Sequence, residues 1–66
     1  MNYMIYGKHD NDKKFFPMDL ASGNIRVGLV YATLIADIER AKKYANELTT
    51  MCPDFNFQVR EAGKSK

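Results

Sequence analysis

The chain has 66 residues, 45% of them hydrophobic and 27% charged, with a net charge of +2 and one cysteine. That length allows a single domain whose core supplies only about 3–5 kcal/mol, the balance of residues excludes general disorder, and the lone Cys52 excludes an internal disulfide. Mild basicity neither demands nor excludes nucleic acid, and the longest uncharged apolar run falls far short of the roughly 20 residues that span a bilayer.

Residues 2–6, "NYMIY", read as a first strand on their aromatic and β-branched content. The turn formers and charges of "GKHDND", residues 7–12, then predict a hairpin loop. A second strand follows over residues 13–18, "KKFFPM", where Pro17 cannot donate to a ladder and so requires an edge or a bulge. "DLASGN", residues 19–24, is the next turn.

From Ile25 the pattern alternates. Ile25, Val27, Leu29 and Tyr31 share one face, and Arg26, Gly28, Val30 and Ala32 the other, which predicts a half-buried third strand over residues 25–32. The competing reading is one helix beginning near Gly28, with an almost all-round apolar first half. After Asp37 the period changes to 3.6: Ile38, Ala41, Ala45, Leu48 and Cys52 form one apolar stripe, Asp37 is a fitting N-cap, and Pro53 stops the helix. Phe55, Phe57 and Val59 alternate with Asn56, Gln58 and Arg60 in a last strand. The domain is expected to span residues 1–61, with residues 62–66 as a frayed tail.

The expected fold is α+β: β-β-β-α-β, a small, mostly antiparallel four-stranded sheet with one helix packed across one face. A right-handed crossover would set the last strand parallel to the third in direction. It would lie beside the first or the third strand, and the apolar N-terminal strand favours the first.

The chemistry-bearing residues are sparse. His9 stands in a charged turn beside Asp10 with no nucleophile placed near it, and reads as a solvated loop residue. Cys52, at the end of the apolar stripe, reads as an inert half-buried thiol. Asp10, Asp12 and Asp19 lack the glycine and the distant glutamate of a calcium loop, and Cys and His are too few for zinc. The glycines are scattered and form no phosphate cradle. No catalytic residue, metal or cofactor is therefore expected, and the chain does not read as an enzyme.

One helix leaves one face of a sheet uncovered. Alternation puts Met4, Tyr6, Phe16 and Met18 on that face, with Val30, and an exposed patch of such adaptable side chains marks a protein interface. A bulge at Pro17 would swap the faces. The second candidate is single-stranded nucleic acid or RNA, gripped by Tyr6 and Phe16 with Lys13, Lys14 and Arg26 around them. The small core also favours self-association. The opening "MNYMIYGKHD" has no basic segment leading into an apolar one, so no secretory signal is expected, and a cytoplasmic setting is.

The stretches "YMIYGKHDNDKKFFPMDL", "VYATLI" and "ANELTTMCPDFNFQVR" resemble pieces of short proteins of bacterial and phage genomes that have no known activity. The likeness covers most of the chain, but its motifs are hydrophobic patterns. It implies a free-standing small α+β protein of a mobile element, with no catalytic residue to carry over. By analogy with small phage-borne proteins, it implies binding to, and blocking of, a larger host protein.

Overall fold

A computed structural model describes residues 2–62. Its elements are β1 (Asn2–His9), β2 (Phe16–Asp19), β3 (Asn24–Ile25), a 3-10 turn (Leu29–Tyr31), α1 (Ile38–Met51) and β4 (Phe55–Ala62). The sheet is antiparallel throughout, in the order β3-β2-β1-β4, with α1 against β1 and β4. The small α+β fold with one helix across one face is the architecture expected, and the last strand lies beside the first.

The helix follows the sequence closely. The Asp37 carboxylate accepts the Glu39 amide at 3.0 Å and so caps one of the orphan donors of the first turn. Cys52 closes the other end by donating its amide to the Leu48 carbonyl at 2.8 Å, just before Pro53. The stripe of Ala41, Ala45 and Leu48 packs on Ile5, Met18 and Ile35, with Tyr3, Leu20, Ile25, Phe57 and Val59 around them. Among the described residues only Ile5 and the small Ala41 are fully enclosed, so this is a thin core.

The ends of the strands differ from expectation. β1 runs on through Gly7, Lys8 and His9, because β4 pairs with it residue for residue from Asn2↔Ala62 to His9↔Phe55. β4 correspondingly includes Glu61 and Ala62, while residues 63–66 of the expected tail lie outside the described residues. β2 begins only at Phe16, in register Tyr6↔Pro17 and Gly7↔Phe16.

The third strand is the main correction. Only Asn24 and Ile25 are strand; Arg26 takes φ +73°, a left-handed conformation that few non-glycine residues adopt, and turns the chain out of the sheet. The Arg26 and Val27 amides both donate to the Pro17 carbonyl, at 3.2 and 3.4 Å, and the Arg26 guanidinium pairs with Asp12 and lies 4.7 Å from the Phe16 ring centre. These contacts hold the strained turn in place. The chain then comes back antiparallel to β1. The Tyr3 and Ile35 backbones exchange hydrogen bonds at 2.7 and 2.8 Å, and Thr33 is bolted to β2 by its amide on the Met18 carbonyl and its hydroxyl accepting the Leu20 amide. Because of this reversal β4 runs antiparallel to β1, and so to β3 as well. The crossover rule presumed a third strand feeding directly into the helix, and that strand is absent.

The faces of β2 are also exchanged relative to expectation. Met18 is buried in the core under α1, and Phe16, opposite Gly7, shares its side. Pro17, opposite Tyr6, faces the other way. The hairpin loop is longer on the β2 side than alternation from residue 13 assumed, which shifts the strand by one residue and flips every side chain.

Candidate protein-interaction surface

Three surfaces carry the side chains that the core does not use. The first is the segment that leaves the sheet. Leu29 is 60% exposed, Val30 89%, Tyr31 73% and Leu34 55%, so four of six successive residues hold large apolar side chains in water. The segment is nonetheless fixed. Its 3-10 turn is closed by the Tyr31 amide on the Gly28 carbonyl at 2.9 Å and the Ala32 amide on Leu29 at 3.3 Å. Ala32 and Ile35 are buried, and Thr33 is bonded to β2 between them. Exposed apolar groups on an anchored backbone are presented to a partner without the ordering cost of a floppy loop.

Leu34 continues this run into a groove of about 500 Å³ between the segment and the helix. Leu20, Ile35 and Ala36 form its apolar wall, and Arg40 with the part-exposed Tyr44 forms the helix side, with Asp37 at one end.

The second surface is the sheet face away from α1. Tyr6 and Lys8 of β1 alternate there with Asn56, Gln58 and Arg60 of β4, following the registers Tyr6↔Gln58 and Lys8↔Asn56. The Arg60 guanidinium lies 4.5 Å from the Tyr6 ring centre and 5.5 Å from that of Phe15, with Lys8 Nζ 5.8 Å from Phe15. Gln58 Oε1 accepts from Arg60 Nε and Nη2 at 3.1 and 3.0 Å and fixes its plane. At the Asn56 end of this face the Asp10 carboxylate accepts from Asn56 Nδ2 at 3.0 Å.

The third surface is the β1–β2 turn. Asp12 accepts the His9 amide at 3.1 Å and pairs with Arg26, and the Arg26 bond first, then the His9 amide, hold its carboxyl below its ordinary value. Asp19 is likewise lowered, first by the Ser22 hydroxyl and also by the Ala21 amide. His9 is not a free loop residue: it ends β1, accepts the Asn11 amide at Nδ1 at 3.2 Å, and meets Phe55 edge to face at 5.1 Å.

Of the residues singled out for a protein interface, Met4 and Tyr6 alternate onto the open face, although Met4 is itself buried; Phe16 and Met18 lie on the helix side. The set considered for nucleic acid is divided in the same way. Tyr6 is on the open face, Phe16 lies on the opposite one beneath Arg26, Arg26 is engaged by Asp12, and Lys13 and Lys14 are exposed in the hairpin loop. Phe15 and Arg60, rather than Phe16 and Arg26, share the face of Tyr6.

Comparison with protein-family models, curated proteins and solved structures gives no match. Among the described residues no helix is long and apolar enough to cross a membrane.

Val30 was expected on an exposed face, though as part of a strand, whereas Leu29, Tyr31 and Leu34 were not legible as a contact surface, because the alternation of residues 25–32 imitates a half-buried strand. The usable signal was quantitative: a nine-residue run without charge, residues 28–36, is more apolar surface than one helix stripe and three short strands can cover.

Proposed function

We propose that this protein is a small non-catalytic interaction module, an adaptor or inhibitor that docks on a larger protein through Leu29, Val30, Tyr31 and Leu34 and the adjoining groove. The exposure of those four side chains on a pinned backbone carries the reading. Fully burying each such side chain is worth about 1.5–3 kcal/mol, so a partner cavity that receives two or three of them gains about 3–9 kcal/mol toward offsetting the cost of association. Tyr31 has the amphipathic character of an interface anchor, and Arg40 at the groove rim offers a charged contact to set orientation.

The test is site-specific photo-crosslinking in the producing cell. A photoreactive group in place of Tyr31 should form a discrete adduct with one larger protein, and the same group in place of the helix residue Lys43 should not. Val30→Asp, which puts a charge into the contact without touching the core, should abolish the Tyr31 adduct. Equal adducts from both positions, or none from Tyr31, would sink the proposal.

The open sheet face supports a second reading, a single-stranded nucleic-acid platform, on the specific ground that the cations Arg60 and Lys8 gather there with the rings of Tyr6 and Phe15. Binding to a labelled oligonucleotide would fall steeply with added salt and would be lost in Arg60→Ala; salt-independent or absent binding removes it.

A further inference from the structure

The two edges of the sheet are treated differently. β3 is two residues long and ends in the left-handed turn at Arg26, a blunt edge that offers no template to another strand. β4 is eight residues long, contains no proline, and pairs with β1 without a single skipped residue, so it has no bulge. It ends the strand order, and among the described residues no strand lies on its outer side. An edge this long, flat and regular is what natural sheets avoid unless something pairs with it.

We infer that the outer edge of β4 pairs with β4 of a second copy, giving a two-fold dimer with one continuous eight-stranded antiparallel sheet. This inference concerns a surface separate from the apolar run of residues 29–34 and stands apart from the function proposed above. Two observations favour a second copy over a foreign strand.

The first is register. In a two-fold antiparallel pair, residues facing each other must lie on the same side of the sheet. In β4, Phe57 and Val59 are on the helix side and Asn56, Gln58 and Arg60 on the open side. A dyad at Gln58 then sets Phe57 against Val59 twice under the helices, and Asn56 against Arg60 twice on the open face. These central pairs match apolar to apolar and polar to polar, Phe55 meets Glu61 at the two ends of the pairing, and no like charges oppose. A dyad at Val59 would pair as many strand residues but bring the apolar–carboxylate pair inward, setting Phe57 against Glu61 two residues from the dyad instead of Phe55 against Glu61 three residues from it.

The second is the helix. α1 packs on both β4 and β1, so its axis follows their seam. With strands about 4.8 Å apart, the seam lies about one strand spacing from the dyad. The two helices would therefore run antiparallel about 10 Å apart, at the upper end of the 8–10 Å of packed helices. Arg40 and Tyr44 line the groove on the β2 side. At 100° per residue, Ile38, Lys42 and Thr49 occupy the opposite flank, above β4. No carboxylate is among them, and Ile38 is half-buried before any partner arrives. Pairing at β4 makes the protein bivalent, with two copies of the apolar run, which raises its avidity for a multimeric target.

The experiment is light scattering with size exclusion over a wide concentration range, combined with disulfide trapping. The wild type should move to twice the monomer mass as concentration rises. Gln58→Lys, which sets two ammonium groups against each other at the dyad, should stay monomeric with an unchanged circular-dichroism spectrum. In a Cys52→Ser background, Gln58→Cys should oxidise to a covalent dimer, whereas Tyr44→Cys should not. Val30→Asp should leave the dimer mass unaltered, which separates this surface from the docking segment. A wild type that is monomeric at every concentration overturns the inference and leaves the edge to a foreign strand. A dimer that survives Gln58→Lys and does not cross-link at position 58 overturns it too.

Discussion

Gly7 is buried in the middle of β1, directly opposite Phe57 of β4. Its backbone has no need of glycine's freedom, but its neighbours have need of the space. A Cβ at this position would stand 2.9 Å from Phe57 Cε1, 3.0 Å from Cδ1 and 3.3 Å from Ile25 Cδ1, against an optimum near 3.5–4.0 Å for carbon pairs. Gly7→Ala must therefore displace the Phe57 ring by about half an ångström or more. Overpacking of this kind costs about 1–3 kcal/mol, and the half-buried Phe57 can yield, which places the cost in the lower part of that range. Alanine returns about 0.4–1 kcal/mol by restricting the unfolded chain. The expected net loss is about 1 kcal/mol, or about 4–8 °C in Tm for a domain of this size. Thermal and urea unfolding followed by far-ultraviolet circular dichroism would measure it. A second background isolates the cause: with Phe57→Leu already present, adding Gly7→Ala should cost less by at least about 0.5 kcal/mol, the coupling expected of residues in contact. If Gly7→Ala stabilises the protein, or costs the same in both backgrounds, the seating of Phe57 over Gly7 is wrong.

Three further outcomes follow from the same structure. Arg26→Gly should be more stable than Arg26→Ala by about 1 kcal/mol, since both lose the Asp12 and Phe16 contacts and only alanine keeps the cost of φ +73°; equal stabilities in urea would remove the strain argument. Ile5→Ala, at the largest fully enclosed side chain, should cost about 2–5 kcal/mol, most of what so small a core supplies, and should leave the chain largely unfolded at 25 °C by circular dichroism; a cooperative melt close to that of wild type would show that the core lies elsewhere. Asp12 and Asp19 have folded values below 3.8, the first chiefly through Arg26 and the second chiefly through Ser22, so on acidification the unfolded chain takes up protons before the folded one does. The stability they contribute is present above about pH 4 and is lost as pH falls through the folded values, and the acid limb of a stability profile should be shallower in Asp12→Asn and Asp19→Asn; an unchanged limb in both would contradict the bonds described.

The parts of the fold that were legible in the sequence are those in which local chemistry and tertiary packing agree. Asp37 caps, the stripe of Ala41, Ala45 and Leu48 faces inward, Pro53 ends the helix, and Phe57 and Val59 alternate into the core. At each of these the period, the cap and the burial give one answer. The ends of β1 were not legible, because Gly7, Lys8 and His9 are turn formers by propensity and strand only by virtue of their partners Phe57, Asn56 and Phe55 in β4, some 50 residues away. The faces of β2 failed for a related reason. Register shifts by one residue with the length of the hairpin loop, and nothing local to Phe16 and Met18 records that length.

Residues 25–32 present a conflict of another kind. Their alternation satisfies the pattern of a half-buried strand, and the fold declines it after Ile25, at Arg26. Pairing these residues onto the sheet would have hidden Leu29 and Tyr31, lengthened the blunt edge, and spared the chain a strained backbone. Instead an ion pair, an aromatic contact and a shared carbonyl hold the turn at Arg26, and a threonine bolt returns the chain at Thr33. Sequences are generally consistent across levels, and departures concentrate where structure serves something other than its own stability. The side chains that this departure leaves outside are Leu29, Val30, Tyr31 and Leu34. The place where sequence and fold part company is therefore also the place to look for the protein's partner.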